Sequence, residues 1–121
     1  MSKDQTIALD YDGVLHSYVR GFTGPVPKDP PVPGAQKFVE DLILNGYNVV
    51  IFSHRAVDPE GQVGIQEWLQ KWDFPEGIAI TATKPAAEVY IDDRAFRFEG
   101  DFSKAFRFIE SEKAEPWTTR K

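Results

Sequence analysis

Short apolar runs alternate along this chain with longer segments of helical spacing. The run from Thr6 to Leu9 is too short for a helix and predicts a buried strand. Apolar residues recur at helical spacing from Ala35, and Gly46 is a suitable C-terminal stop for that helix. The next run is continuously apolar up to Phe52, which is typical of a strand covered on both faces.

The second half of the chain continues the alternation. Asp58 and Pro59 predict the start of a helix that continues to about Asp73, with Trp68 and Trp72 four residues apart on a packed face. Further strands are predicted at residues 78–80 and 88–91 and, as a fifth strand, around 97–98. The last helix is predicted near residues 102–111, and its expected core face consists of Phe102, Phe106 and Ile109.

This order of elements predicts an α/β fold. Strands that alternate with helices favour a three-layer, Rossmann-like arrangement with a mostly parallel sheet of about five strands. At 121 residues the chain is expected to form a single domain, residues 1–121. The proline-rich segment 14–33 is neither helix nor central strand and is expected to form a long ordered loop near the active site. The polar tail, residues 112–121, is expected to fray.

Composition and charge narrow the class of protein. The chain contains no cysteine, which excludes disulfides and cysteine-ligated zinc. Its net charge of −5 argues against non-specific nucleic-acid binding, although a local basic cluster could still hold a nucleic-acid substrate. The sequence has neither the apolar run of a signal peptide nor that of a membrane span, so we expect a soluble, cytoplasmic protein with no membrane partner.

Polar residues stand at the end of each predicted strand. Asp10 ends the first strand, Ser53 the second, Lys84 follows the third, and Asp92-Asp93 ends the fourth. Ligands of parallel sheets bind at the carboxyl ends of the strands, so these residues are expected to meet at one sheet edge. Carboxylates at such close range favour a bound cation, and an all-oxygen ligand set suits Mg²⁺.

The spacing of Asp10 and Asp12 suits phosphate chemistry. Residues i and i+2 of an extended segment share a side, so both carboxylates can face one phosphate. One carboxylate can attack phosphorus while the other transfers protons, and Lys84 and Ser53 are suited to hold the phosphate. The competing interpretation is that Asp12-Gly13 forms an ordinary turn and that Lys84 is a solvated surface residue.

The sequence resembles the haloacid dehalogenase superfamily from about Ile7 to Asp93. ALDYDGVL is similar to the first motif of that family, VVIFS to the second, and VYIDD to the fourth, while Lys84 occupies the place of the third. Four motifs in the correct order, each after a predicted strand, are more specific than any one of them.

The resemblance implies a role for each motif residue. Asp10 would be the nucleophile and a magnesium ligand, and Asp12 the general acid/base whose backbone carbonyl touches the metal. Ser53 would bind the phosphate and Lys84 would steady it. Asp93 would be the direct metal ligand of the fourth motif, with Asp92 second. An acid two residues after the nucleophile is typical of the phosphatases of this superfamily.

Two further features come from the resemblance. Larger members of the family carry a cap domain, for which neither segment 13–34 nor segment 53–84 leaves room, so the site should be open and screened by the 14–33 loop or by a neighbouring subunit in a homo-oligomer. The runs SHR and IDDR, with Arg55 and Arg94, are similar to segments in the phosphatase half of bacteriophage polynucleotide kinase-phosphatases. That similarity makes Arg55 a candidate for gripping the substrate phosphate.

The sequence thus supports three functions. The first is a magnesium-dependent phosphohydrolase with an aspartyl-phosphate intermediate, acting on a nucleotide, a nucleic-acid end or another phosphomonoester. The alternatives are a non-catalytic module that binds phosphate or metal, and a phosphotransferase to an acceptor other than water. His16 and His54 match no motif and are interpreted as loop residues, with the alternative that His54 reaches the phosphate edge of the site.

Overall fold

The computed structural model of the protein describes residues 5–112, and the tail residues 113–121 lie outside this part. A short 3-10 helix, His54–Val57, joins the second strand to the second α-helix. The regular elements, in chain order, are β1 (Thr6–Asp10), α1 (Ala35–Leu44), β2 (Asn48–Phe52), α2 (Pro59–Lys71), β3 (Ala79–Thr81), β4 (Val89–Ile91) and α3 (Phe102–Glu112). Among the described helices none combines the length and the apolar character that crossing a bilayer requires.

The sheet has four parallel strands in the order β3-β2-β1-β4. The apolar run of β1 lies in the middle, where Leu9 pairs with Ile51 on one side and Ile91 on the other. The prediction of a parallel α/β sheet is therefore confirmed, but the predicted fifth strand around residues 97–98 is wrong. In its place Phe98 packs against Phe102 of α3 with ring centroids 4.8 Å apart, so this segment makes local aromatic contacts and not a ladder.

The hydrophobic core lies on one face of the sheet. Ile7 and Leu9 of β1 point to the same face as their register partners in β2, because parallel partners share a side. Helices α1 and α2 cover this face with residues at helical spacing, among them Val39 and Ile65, which are fully buried. Trp68 of α2 is also buried, which confirms its predicted packing role.

Helix α3 differs from its predicted packing. Its amphipathic pattern does produce a helix, but Phe102, Phe106 and Ile109 are exposed and do not form the expected core face. The two rings that α3 contacts, Phe96 and Phe98, belong to the connection that leads into it. The structure therefore does not show the third layer that the sequence predicts on the second face of the sheet.

The 14–33 loop is held to the body of the protein by backbone and side-chain hydrogen bonds. Ser17 N–H donates to Pro30 O, and Val32 N–H donates to Leu15 O, so the two ends of the loop run side by side. The indole N–H of Trp68 donates to Asp29 O over 2.8 Å and ties the middle of the loop to α2. The loop thus forms one wall of the space above the carboxyl ends of β1 and β2.

Candidate active site

A cavity of about 550 Å³ lies at the carboxyl edge of the sheet. It is lined by residues from the ends of β1, β2 and β4 and from the 14–33 loop: Asp10, Asp12, Tyr18, Phe22, Pro25, Ser53, His54, Arg55, Asp58, Asp92 and Arg94. Three of the four strand ends that the sequence marked with polar residues therefore meet at this cavity.

Three carboxylates form what we call the acidic cluster: Asp10, Asp92 and Asp93. One oxygen from each lies within 4.8 Å of the others. Burial, followed by the negative charge of Asp92, raises the pKa of Asp10 to about 8. Burial likewise raises the pKa of Asp93 above its usual range. Negative charge on the acidic cluster therefore destabilises the folded protein, and a bound divalent cation would offset this cost.

Gly13 allows the strand ends to approach each other. Its φ of +84° lies in the left-handed region that favours glycine, and a Cβ there would overlap the Asp93 carboxylate. Asp93 Oδ2 is buried and has no hydrogen-bond partner among the described residues, whereas Asp92 Oδ1 accepts from Arg94 N–H over 2.8 Å. Of the two acids that follow β4, Asp93 is thus the one with a buried oxygen, Oδ2, that lacks a hydrogen-bond partner among the described residues.

Asp12 is held from two sides. Arg55 Nε donates to both of its oxygens, at 2.9 and 3.1 Å, and His16 Nδ1 lies 2.7 Å from Oδ1. Hydrogen bonds from an arginine to both oxygens fix the position of this carboxylate. The Asp12 side chain is one-quarter exposed, so it reaches the cavity while its partners are buried.

Arg55 makes more contacts within the protein than the sequence suggested. Its Nη1 donates to the carbonyls of Gly24 and Pro25 in the 14–33 loop, at 2.6 and 3.0 Å. Its guanidinium also lies 5.5 Å from the ring centroid of Phe22. This arginine therefore joins the loop to Asp12, and its buried Nη2 is left without a hydrogen-bond partner among the described residues.

Ser53 directly follows β2 and is the N-cap of the 3-10 helix. Its hydroxyl oxygen accepts from Arg55 N–H over 3.2 Å, and the residue is buried beneath the cavity. Because the oxygen already accepts, the hydroxyl proton can point at an anion in the cavity. This geometry fits the predicted phosphate-binding role, which stays a prediction.

Lys84 lies elsewhere. Its ammonium nitrogen is 4.3 Å from the centroid of the Tyr90 ring, and the residue is not among those that line the cavity. Tyr90 in turn packs edge-on against Phe52, on the sheet face opposite the core. Lys84 is thus placed away from the cavity, and its role in steadying a phosphate stays a prediction.

The main residue that sequence reasoning missed is His16. The sequence predicts only a loop residue at this position, whereas the structure shows a buried side chain in contact with Asp12. The only signal was its position four residues after a candidate acid/base, in a segment too rich in turn residues for helical spacing to apply.

Comparisons with protein-family models, with curated proteins and with solved structures gave no match to this chain. The geometry of the cavity is therefore the basis on which a function can be argued.

Proposed function

We propose that this protein is a magnesium-dependent phosphohydrolase of the haloacid dehalogenase type, acting on a phosphomonoester through an aspartyl-phosphate on Asp10. The observation that carries the proposal is the convergence of two carboxylates from β1, a serine and an arginine from the end of β2 and two carboxylates from the end of β4. A binding module would need the metal ligands and the anion donors, but it would not need a second carboxylate held beside the first.

The acidic cluster is suited to hold Mg²⁺. All of its donors are oxygens, and the buried, unpartnered Asp93 Oδ2 favours Asp93 over Asp92 as a direct ligand beside Asp10. The resemblance adds the backbone carbonyl of Asp12. Bound there, the ion would offset the negative charge of the carboxylates and of the phosphoryl oxygens.

In the first step a carboxylate oxygen of Asp10 forms a bond to phosphorus. Its Oδ1 accepts from Tyr11 N–H over 2.8 Å, which fixes the orientation of the carboxylate. The bond between phosphorus and the ester oxygen breaks, the electron pair leaves with that oxygen, and Asp12 in its acid form supplies the proton.

In the second step water attacks the phosphorus of the aspartyl-phosphate. Asp12 takes a proton from the water, the bond between phosphorus and Asp10 breaks, and inorganic phosphate is released. Arg55 Nε and His16 Nδ1 lie within hydrogen-bond distance of the Asp12 carboxylate and would orient it for this step.

The phosphate would be held by Ser53 and Arg55, two residues that line the cavity. Arg55 Nη2 is buried without a hydrogen-bond partner among the described residues, so it could donate to the phosphate only after the cavity wall shifts to expose it. Lys84 can contribute only after its ammonium leaves the Tyr90 ring. We therefore assign the first contacts to Ser53 and Arg55, and we propose that Lys84 joins them when substrate is bound.

The walls of the cavity bear on the substrate. Tyr18 and Phe22 present aromatic rings, while Arg94 presents an exposed cation at the opposite strand end. Such a combination suits a phosphate ester with a flat ring and additional anionic groups. A nucleotide or a nucleic-acid end therefore remains the substrate class that we propose first.

The test is turnover of a panel of phosphomonoesters with Mg²⁺, including nucleotides and 3′-phosphorylated DNA. We expect phosphate release by the wild type, loss of activity in Asp10→Asn, and retention in the matched control Asp41→Asn, because Asp41 is exposed on α1. Turnover that survives Asp10→Asn would exclude the aspartyl-phosphate mechanism.

Two other outcomes identify the alternatives. Binding of Mg²⁺ without turnover of any ester would indicate a non-catalytic module. Release of the alcohol in excess of inorganic phosphate when a second alcohol is added would indicate a phosphotransferase.

A further inference from the structure

His16 contacts the Asp12 carboxylate but does not line the cavity. The imidazole is 1% exposed and does not line the cavity, so it cannot touch a substrate there. Nevertheless its Nδ1 lies 2.7 Å from Asp12 Oδ1. Because the buried histidine contacts the candidate acid/base and not the substrate, it can influence a reaction in the cavity only through that carboxylate.

The proton on the imidazole can be located from its partners. The backbone N–H of Asp29 donates to His16 Nε2 over 2.9 Å. Because a backbone N–H can only donate, Nε2 must accept and carries no proton. The single proton of the neutral ring is therefore on Nδ1, where it points at Asp12.

The ring itself is fixed by its neighbours. Tyr11 stacks on it with ring centroids 5.2 Å apart and an angle of 8° between the planes, and the Trp68 indole meets it edge-on at 5.8 Å. Asp29, which selects the tautomer, is held in turn because its carbonyl accepts from the Trp68 indole N–H. The orientation of the Nδ1–H group is thus set by α2, by the loop and by Tyr11, the residue that follows β1.

We propose that His16 is a positioning residue for the proton transfers of Asp12: its Nδ1–H fixes the rotation of the carboxylate so that one oxygen faces the cavity. Arg55 alone reaches both oxygens from one side and would allow the carboxylate to tilt. This assignment rests on the proposed phosphohydrolase activity, in which Asp12 is the acid/base.

Two substitutions separate this role from simple anchoring of the loop. In His16→Asn the amide nitrogen takes the place of Nδ1 and keeps a donor to Asp12, but the acceptor for Asp29 is lost. In His16→Gln the longer side chain reaches the position of Nε2 and keeps the contact to Asp29, but the donor to Asp12 is lost. A positioning role predicts that the glutamine variant is the more damaged of the two, whereas loop anchoring predicts the reverse.

We expect His16→Gln to lower kcat by about 100-fold with KM within about twofold of wild type, and His16→Asn to lower kcat by less than about tenfold. The loss in kcat/KM for His16→Gln should be larger for an alkyl phosphate than for p-nitrophenyl phosphate, since a good leaving group needs little help from a general acid. Equal losses in both variants, or the same loss for both esters, would overturn the assignment.

A measurement that does not depend on turnover covers the case in which a variant fails to fold. The ¹⁵N spectrum of wild-type His16 should show a protonated Nδ1 and an unprotonated Nε2, and the Nδ1 proton signal should shift in Asp12→Asn. The opposite tautomer would overturn the assignment. An inactive wild type would instead refute the proposed function itself, so the two failures are distinguishable.

Discussion

Replacement of Asp10 by asparagine is expected to stabilise the metal-free protein while it abolishes turnover. Burial and Asp92 raise the pKa of Asp10 from 3.8 to about 8. At pH 7, which is roughly three units above the pKa of the unfolded state, this shift destabilises the folded state by about 4 kcal/mol, at ~1.4 kcal/mol per unit. The cost arises because the buried carboxyl must either keep a proton or carry a charge next to Asp92. An amide of the same shape removes that cost and can still accept from Tyr11 N–H.

The sign follows from the direction of the shift. A raised pKa means that the folded state binds more protons than the unfolded state, so stability falls as the pH rises above about 4. Because the partly buried Asp93 also has a raised pKa, part of the cost remains in the variant, and we expect a gain of about 2 kcal/mol at pH 7. The gain should shrink to less than about 1 kcal/mol near pH 4, where the carboxyl is protonated in the folded state and about half protonated in the unfolded state.

The assay is urea unfolding followed by tryptophan fluorescence, with EDTA present, at pH 4 and at pH 7. Asp41→Asn provides the matched control, since it makes the same chemical change on an exposed helix position. Saturating Mg²⁺ should narrow the gap at pH 7, because the cation stabilises the wild type more than the variant. A variant that is no more stable than wild type at pH 7, or a gap independent of pH, would refute the reasoning.

Three further predictions concern the same site. Arg55→Lys should lower the free energy of unfolding by about 2–4 kcal/mol, because lysine cannot keep the buried contacts of the guanidinium. Arg97→Lys, at an exposed position, is the control, and equal urea midpoints for the two variants would contradict the prediction. Gly13→Ala should weaken Mg²⁺ binding, measured by calorimetry, at least about tenfold, because the added Cβ would displace the Asp93 carboxylate. Gly21 has a similar positive φ but open space around it, so the Gly21→Ala variant should bind Mg²⁺ as the wild type does. Binding of Mg²⁺ to the wild type at pH 7 should release protons from the acidic cluster, and identical apparent enthalpies in buffers of different ionisation enthalpy would speak against this.

The central elements were predictable from the sequence because their signals are local. The apolar runs of β1 and β2 and the helical spacing of α1 and α2 give these elements within about two residues of their observed bounds. The positions of Asp10 and Ser53 at the carboxyl edge then follow from the parallel topology.

Other features depend on contacts that no local pattern encodes. The ion pair between Arg55 and Asp12 joins residues 43 positions apart and depends on the path of the 14–33 loop. The spacing of residues along the sequence does not determine whether the Lys84 ammonium lies over the Tyr90 ring or in the cavity. The amphipathic pattern of α3 predicts a helix but not what covers its apolar side.

The strand order has a consequence for when the site comes into existence as the chain is made. β1 is synthesised first, yet it lies at the centre of the sheet, and its partner β4 comes about 80 residues later, as the pairing of Ile7 with Val89 shows. Until then one side of β1 is an unpaired edge, of the kind that invites association between chains. Asp92 and Asp93 arrive together with β4, so a cation bound by the acidic cluster would stabilise only chains in which β4 has already been made and paired.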